Sequence, residues 1–210
     1  MTTHADDIEQ LCRRLREASA AAAYEAMDRR GNMSTSLRAL VADALCVGPA
    51  YTVLAPAGWG DEIIRAIDDA PAGSVIVIDI GPEGEACTWG GTGTVVAQRR
   101  GIAGVVSNGR IRDIAEIRRA RFPVYARGTI VSGWSRGRTG NAGVPVSVGG
   151  RVVHPGDVIC ADDDGIVVIP RDEAAAVAVR LQSRLHFEKN AARIVGQGGR
   201  YADVAAAKPA

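Results

Sequence analysis

The chain has 210 residues, of which 47% are hydrophobic and 23% charged, as in globular rather than disordered proteins. Its formal net charge is +1 and no basic face is concentrated enough for a nucleic-acid partner, so we expect none. The polar, acidic first residues predict no secretory signal, and the aliphatic runs are too short to cross a bilayer, so we expect a cytoplasmic protein without a membrane partner.

The cysteines and histidines exclude most transition-metal and disulfide-rich classes. Four cysteines are scattered along the chain without a CxxC pair, and each of the three histidines is isolated. Reduced thiols explain this cysteine usage best. Any bound metal is therefore expected to be a hard cation held by oxygen ligands.

The first half of the chain alternates between helical and strand patterns. Helical spacing of apolar residues predicts one helix over 5–29, ended by Gly31 and Asn32. The elements predicted next are a strand over 46–54, a helix over 61–69, a strand over 75–80, a helix from 90 to about 100, a strand over 102–106, a helix over 111–120 and a strand over 122–125. This alternation predicts an α/β layer with a parallel sheet.

Beyond residue 128 the pattern changes to short β segments. These are predicted at 144–148, 151–153, 157–161 and 166–169, and a closing helix is predicted from Pro170 to about 195. No linker separates the two halves, so we expect layers of one compact domain. Residues 196–210 are predicted to form a loose tail.

A glycine-rich helix start follows the second predicted strand, at Gly90, Gly91, Thr92 and Gly93. Small side chains let an anion approach the backbone N–H groups, and a helix N-terminus carries partial positive charge. The segment is therefore a candidate seat for a carboxylate or phosphate. A tight turn without any ligand is the alternative.

A second helix start carries charged groups, at Arg112, Asp113 and Glu116. A guanidinium can fork onto a carboxylate or an enolate oxygen, and an aspartate can hold a Mg²⁺-type ion together with waters. Glu116 lies one helical turn beyond Asp113. The alternative is ordinary helix N-terminal chemistry, with Asp113 stabilised by the helix dipole and paired to Arg112 at the surface.

An ordered series of motifs resembles the RraA-like family, which includes 4-hydroxy-4-methyl-2-oxoglutarate and 4-carboxy-4-hydroxy-2-oxoadipate aldolases. The series comprises Trp89-Gly90-Gly91, residues 100–106, Asn108-Gly109-Arg110-Ile111-Arg112-Asp113, Phe122-Pro123-Val124, Val144-Pro145-Val146, Gly149-Gly150, Pro155-Gly156-Asp157 and residues 161–170. The resemblance covers roughly residues 35–195. The resemblance is specific because these motifs occur together in this order, whereas no single motif would be specific.

The resemblance implies an α/β fold of the β/β/α swivelling type, a layered domain with a central sheet and N- and C-terminal helices. The chain would then comprise an N-terminal helical arm (1–34), a catalytic domain (35–195) and the tail. By the same resemblance, Arg112 and Asp113 are catalytic, with Arg112 on the substrate and Asp113 on Mg²⁺ or Mn²⁺. The amides of Gly90 to Gly93 would hold the pyruvyl carboxylate of a small 2-oxo acid, and the assembly would be a homotrimer or hexamer.

Position 91 departs from the family pattern, because the aldolases often carry an acidic residue there. This chain has glycine, so another carboxylate must take over proton transfer if aldol cleavage is retained. The candidates for this acid/base role are Glu116 and a neighbouring subunit's Glu188 from the closing helix. Otherwise decarboxylation of oxaloacetate, which forms the same enolate without that base, is expected to be the main reaction.

Two other functions fit parts of the sequence. Residues 75–84 resemble the first loop of an S-adenosylmethionine-dependent methyltransferase, but the next strand lacks the acidic end that such a fold requires. Some RraA-like proteins are non-enzymatic rings that bind and inhibit ribonuclease E. They tend to lose the Arg-Asp pair, which this chain keeps.

Overall fold

The computed structural model describes residues 4–82 and 84–206. Its helices are α1 (His4–Leu15), α2 (Ala20–Ala26), α3 (Asp61–Asp69), α4 (Gly91–Arg99), α5 (Ile114–Ala120), α6 (Ala174–Gly196) and α7 (Tyr201–Ala206). Its strands are β1 (Arg38–Ala39), β2 (Cys46–Leu54), β3 (Val75–Asp79), β4 (Cys87–Trp89), β5 (Gly104–Ser107), β6 (Arg110–Ile111), β7 (Val124–Ala126), β8 (Asn141–Ala142), β9 (Val146–Val148), β10 (Arg151–Val153), β11 (Val158–Asp162) and β12 (Gly165–Ile169).

A mixed sheet with strand order β1-β7-β5-β3-β2-β11-β12 forms the centre, and β8 adds to β2. The four strands β2, β3, β5 and β7 are parallel, whereas β11 pairs antiparallel with both β2 and β12. Two small sheets stand apart, the hairpin β9–β10 and the parallel pair β4–β6. The predicted α/β class with a central sheet is confirmed.

Alternating residues of the strands supply three packed clusters. On β3, Ile76 and Ile78 face the layer of α3, α4 and α5, whereas Val75 and Val77 face an inner core. That inner core joins residues from both ends of the sheet, so the sheet curls until it is nearly closed. The helices α1, α2 and α6 cover the outer face of β11 and β12. Burial on both faces explains the continuous apolar runs of these strands.

The predicted helix over 5–29 is wrong, because the structure has two helices there. The first helix ends at Leu15, and Ser19 starts the second: its backbone is extended and its hydroxyl accepts the backbone N–H of Ala22, so it is the N-cap of α2. In a continuous helix the Ala22 N–H would bond to a backbone carbonyl of the preceding turn. Here the side-chain oxygen of Ser19 accepts it instead, as at a helix N-terminus. Both helices pack against α6.

The predicted helix over 111–120 begins later than expected. Arg110 and Ile111 pair with β4 as a short strand, and the helix starts only at Ile114. The tail is also more ordered than predicted, since α7 lies within it. Residues 1–3, 83 and 207–210, which include both extremes of the predicted arm and tail, lie outside the described residues.

The described part of the chain has no helix that combines the length and apolarity needed to span a membrane. All four cysteines are free and buried, as expected for reduced thiols.

Candidate active site

The N-terminus of α4 is open toward solvent. Its N-cap, Gly90, is extended and offers no side-chain cap. The N–H of Gly91 is taken by a carboxylate of another element, and the N–H of Thr94 bonds to the Gly90 carbonyl. Within the described residues, the N–H groups of Thr92 and Gly93 have no acceptor, as expected for a first helical turn. Two backbone donors therefore remain free for an anion.

A buried tryptophan fixes this helix start from below. The indole of Trp89 donates to the Thr94 hydroxyl at 2.9 Å, and that hydroxyl donates to the Gly90 carbonyl at 3.1 Å. Trp89 is fully buried and stacks on Phe122, with ring centroids 6.0 Å apart. Neither Thr94 nor this role of Trp89 was identified from the sequence. The Trp-x-x-x-x-Thr spacing was the available signal.

The Arg112–Asp113 pair is placed by β6 and by the start of α5. The N–H of Arg112 bonds to the Trp89 carbonyl, so the pair follows directly from the β4–β6 ladder. Asp113 is the N-cap of α5 with φ +58°, in the left-handed region. That conformation is unusual outside glycine, although aspartate tolerates it better than most residues. A strained residue at the meeting point of two elements favours a functional role.

The Asp113 carboxylate does not cap its own helix. Its Oδ2 accepts the Gly91 N–H at 3.0 Å and lies 3.4 Å from Nε of Arg112. Within the described residues, Oδ1 makes no hydrogen bond or ion pair, and both side chains are about half exposed at 49% and 38%. The pair is therefore accessible to solvent, with one carboxylate oxygen available.

Glycine at position 90 keeps the space in front of this carboxylate clear. A Cβ built at Gly90 would lie 2.9 Å from Asp113 Oδ2 and 3.4 Å from Arg112 Cγ. The described residues contain no cluster of three or more His, Cys, Asp or Glu side chains that could hold a metal ion. The described residues therefore contain no site in which protein side chains alone would coordinate a metal ion. Mg²⁺, however, is commonly bound by one or two carboxylates together with waters and substrate. Asp113 fits that second mode.

The two candidate acid/base residues are separated within the chain. Glu116 lies on the first turn of α5, and a Cβ at Gly91 would overlap its Oε2. Glu188 lies on α6, bonded to Arg184 at 3.0 Å, and the main neighbours of α6 are α1, α2 and α7. The structure thus joins Glu116, and not Glu188, to the α4–α5 start within one subunit.

Two arginines in the loop after residue 126, Arg136 and Arg138, contact residues other than Arg112 and Asp113. Arg136 bonds to Asp61, whose pKa is lowered by this hydrogen bond, and Arg138 lies over the ring of Trp59. Arg127 differs, since its Nε is buried and has no partner among the described residues. The same loop reaches the site at Gly133, where a Cβ would lie 2.8 Å from Arg112 Nη1.

Asp79 is the last residue of β3 and lies within residues 75–84, the segment that resembles a methyltransferase loop. Its role in this structure is to stabilise the fold. Its carboxylate accepts from Gly81 N, from Asn108 Nδ2 and from Ser147 N at 2.7–2.9 Å. These bonds tie the loops at Gly81 and Asn108 and the strand β9 to the carboxyl end of β3.

A family model and a curated relative point to the same family. Residues 19–168 match the family model described as RraA-like, Aldolase/RraA. A Halalkalibacterium halodurans protein named "Putative 4-hydroxy-4-methyl-2-oxoglutarate aldolase" is 36% identical over 163 residues, which is 76% of each chain.

Two solved structures share the fold over most of their length. An uncharacterized protein from Pseudomonas syringae pv. tomato is 25% identical with a TM-score of 0.81, covering 93% of this chain and 96% of that one. Streptomyces coelicolor RraAS2, described as an unusual member of the RNase ES inhibitor RraA family, is 27% identical with a TM-score of 0.72, covering 85% and 93%.

Proposed function

The chain belongs to the RraA-like (Aldolase/RraA) family, and from this premise we propose that it is a divalent-metal-dependent lyase. It would cleave 2-oxo acids of the 4-hydroxy-4-methyl-2-oxoglutarate type to pyruvate, and decarboxylate oxaloacetate. The observation that carries the proposal is the placement of Arg112 and Asp113 against the open N-terminus of α4.

The free backbone donors of α4 support a seat for the substrate carboxylate. The N–H groups of Thr92 and Gly93 point out of the first helical turn, where the helix dipole favours an anion. The half-exposed guanidinium of Arg112 stands beside this turn and can fork onto the 2-oxo acid group. The free amides and the Arg112 guanidinium would together bind the end of a 2-oxo acid that carries its carboxylate and 2-oxo group. The C3–C4 bond of the substrate would then remain outside these contacts.

Asp113 is the residue that would hold Mg²⁺ or Mn²⁺, through its free Oδ1. When bound, such an ion acts as a Lewis acid at a developing enolate oxygen. Arg112 adds a fixed positive charge at the same oxygen. The hydrogen bond from Gly91 holds the carboxylate in place, so little reorganisation is needed as negative charge develops.

Retro-aldol cleavage and decarboxylation share this charge stabilisation. In both reactions the C3–C4 bond breaks and its electron pair remains on the three-carbon fragment as an enolate. The reactions differ at C4, because an aldol substrate must also lose its hydroxyl proton whereas oxaloacetate releases CO₂. The same Arg112–Asp113 geometry therefore supports both activities.

We propose a homotrimer or hexamer as the working assembly. The exposure of Arg112 and Asp113 supports this, because catalytic charges work best where water is excluded and one subunit alone leaves both side chains about half exposed to solvent. No residue in the second half of α6, residues 185–196, is buried in the single chain, so this segment is available for a subunit contact. Light scattering after size-exclusion chromatography would measure the assembly directly, and a monomer at micromolar concentration would contradict it.

The test of the function is pyruvate release from a panel of 4-hydroxy-2-oxo acids and from oxaloacetate, with Mg²⁺, with Mn²⁺ and with excess EDTA. We expect release that needs the ion and is restored when the ion is returned. Activity that persists in EDTA would overturn the metal-dependent mechanism. Tight binding of ribonuclease E without turnover of any substrate would favour a non-enzymatic regulator instead.

A further inference from the structure

We propose that Asp61 and Trp134 are positioning residues of the substrate site, because they hold the loop segment 131–133 against the guanidinium of Arg112. This inference rests on the proposed lyase function and deepens it, since it names the elements that orient the residue expected to bind the 2-oxo acid. It concerns the orientation of one side chain, so its failure is distinguishable from the failure of the function.

The guanidinium of Arg112 lies between two glycines that belong to different elements. A Cβ built at Gly90 would lie 3.5 Å from Nε, and a Cβ built at Gly133 would lie 2.8 Å from Nη1. Within residues 4–82 and 84–206, Nε pairs with Asp113 at 3.4 Å, whereas the two Nη atoms make no hydrogen bond or ion pair. Packing between two backbone segments therefore limits where the end of this side chain can point.

Glycine at position 133 is required by space and not by backbone geometry. Gly133 is not among the glycines with positive φ, so the close approach of Arg112 is what a larger side chain would disturb. The segment 131–133 is itself exposed, and Val131 is 98% exposed. An exposed segment has few contacts of its own, so its position must be set by the residues on either side.

Both ends of this segment are anchored to other parts of the fold. On one side, the Ile130 N–H donates to the Ile111 carbonyl at 2.8 Å, next to the β4–β6 pair. On the other side, the Ser135 N–H donates to the Gly58 carbonyl at 2.8 Å, in the loop that leads into α3. Residues 131–134 span the distance between the two anchors and pass Arg112 on the way.

Trp134 fixes the second anchor by packing on the start of α3. A Cβ built at Gly60 would lie 2.5–2.6 Å from three ring atoms of Trp134, so the indole lies directly on the Gly60 backbone. The Gly60 N–H also donates to the Ser135 carbonyl at 3.1 Å. The ring packs against the apolar cluster that α3 covers. Because Trp134 follows Gly133 directly, this packing determines how close Gly133 stands to Arg112.

Asp61 holds the chain just beyond Trp134. Its Oδ1 accepts Nε of Arg136 and its Oδ2 accepts the Gly137 N–H, both at 2.8 Å. The Asp61 side chain is only 13% exposed and is the first residue of α3, where the helix dipole favours a negative charge. The carboxylate thus ties the loop to the same helix start on which Trp134 packs.

The restraint on Arg112 acts before substrate binds. A mobile side chain must be ordered when the substrate arrives, and that ordering reduces affinity. Once bound, the carboxylate of the 2-oxo acid orders the guanidinium itself, so the transition state meets the same charge as in the wild type. A loosened loop should therefore raise KM and leave kcat nearly unchanged.

The experiment measures KM and kcat for oxaloacetate with Mn²⁺ in Trp134→Ala and Asp61→Asn. The cost of ordering one long side chain predicts a rise in KM of about 3- to 10-fold, with kcat within about twofold. Calorimetry with pyruvate should show the same loss of affinity without turnover. Trp134→Phe keeps a ring on Gly60 and should restore KM to within about twofold of the wild type.

Two further variants separate positioning from general stability. Gly133→Ala places a methyl group beside Nη1 on an exposed segment, so KM should rise while the melting temperature stays near that of the wild type. Arg65→Ala is the matched control, because it removes an exposed arginine that is paired within α3 itself, and KM should be unchanged.

A double-mutant cycle tests whether the loop acts through Arg112. In the Arg112→Lys background the guanidinium is absent, so adding Trp134→Ala should change KM by no more than about twofold. Additive effects of the two substitutions would mean that Trp134 acts on another part of the protein, and would overturn the proposal.

The remaining outcomes also decide the matter. An unchanged KM in folded Trp134→Ala and Asp61→Asn, or a loss confined to kcat, would overturn the positioning role while leaving the lyase function standing. If both variants fail to fold, Gly133→Ala decides alone, and a wild-type KM in it would overturn the proposal. A wild-type protein that releases no pyruvate from any substrate would overturn the proposed function and this inference together.

Discussion

The Oδ2 of Asp113 accepts the backbone N–H of Gly91 at 3.0 Å, so a side chain at the start of α5 caps the start of α4. This single bond holds the two helix starts in register and leaves the second carboxylate oxygen free. It also explains why Asp113 adopts φ +58°, since the left-handed backbone turns its side chain away from its own helix.

Replacing Asp113 by Asn should separate its two roles. The amide oxygen can still accept the Gly91 N–H, and Asn tolerates the left-handed conformation, so the melting temperature should change little. The negative charge for a divalent ion is lost, and we expect a fall in kcat/KM of about 100- to 1000-fold, comparable with the loss of a single transition-state stabiliser. Steady-state kinetics and Mn²⁺ calorimetry measure the two effects. Full activity with undiminished Mn²⁺ affinity would contradict the assignment.

Replacing Arg112 by Lys should weaken the recognition of the 2-oxo acid. Lys keeps the charge but lacks the planar fork that binds two oxygens at once. A hydrogen bond to a charged group contributes about 1.5–3 kcal/mol, so kcat/KM should fall by about 10- to 100-fold. Mn²⁺ affinity in the absence of substrate should be retained, since Arg112 is not an ion ligand. A variant with wild-type kcat/KM would show that the guanidinium does not touch the substrate.

The sequence predicted most of the fold but fewer of the site's contacts. A strand such as β3 can be predicted from its local sequence, because a buried parallel strand is apolar on both faces. The break at Ser19 was missed because helical spacing continues across it and only the serine signals a cap. The contact of Gly91 with Glu116 joins residues 25 positions apart, so composition and spacing could not reveal it.

Gly90→Ala should impair function by narrowing the space beside Asp113, without destabilising the fold. Gly90 has an extended φ of −163°, which any residue adopts, so little strain is expected. The new Cβ would approach Asp113 Oδ2 to 2.9 Å and narrow the space beside it. We expect a clear loss of kcat/KM with a melting temperature near that of the wild type. Gly196→Ala is the matched control, because nothing lies within 4 Å of that position and alanine favours the helix.

The buried thiols should make the protein sensitive to alkali. Burial raises the pKa of Cys12 to about 11 and that of Cys160 to about 12, above the ordinary value of 9.0. Between pH 9 and these values the unfolded chain releases protons that the native state keeps, so the free energy of unfolding falls as pH rises. This contribution is fully present below pH 9.

Denaturant unfolding at pH 7, 9 and 10.5 measures the loss, with Cys160→Ala as the variant that should show a smaller pH dependence. A thiol reagent at pH 8 should label these cysteines slowly in the native protein and rapidly in denaturant. Rapid native labelling of Cys160 would contradict its burial.

Ser19→Ala tests why the N-terminal helices are two and not one. The Ser19 hydroxyl accepts the Ala22 N–H at 3.1 Å, and losing an N-cap of this kind costs about 1 kcal/mol. We expect that loss in the free energy of unfolding, measured by denaturant titration, with an unchanged m-value. Ser19→Asn is the control, because its side-chain oxygen also caps α2 and it adds no charge beside Asp162, so stability should be kept. Because α2 packs on α6 and lies away from α4 and α5, lyase activity should be unaffected in both variants. A destabilised Ser19→Asn variant would mean that packing around Ser19, rather than capping, sets the break between α1 and α2.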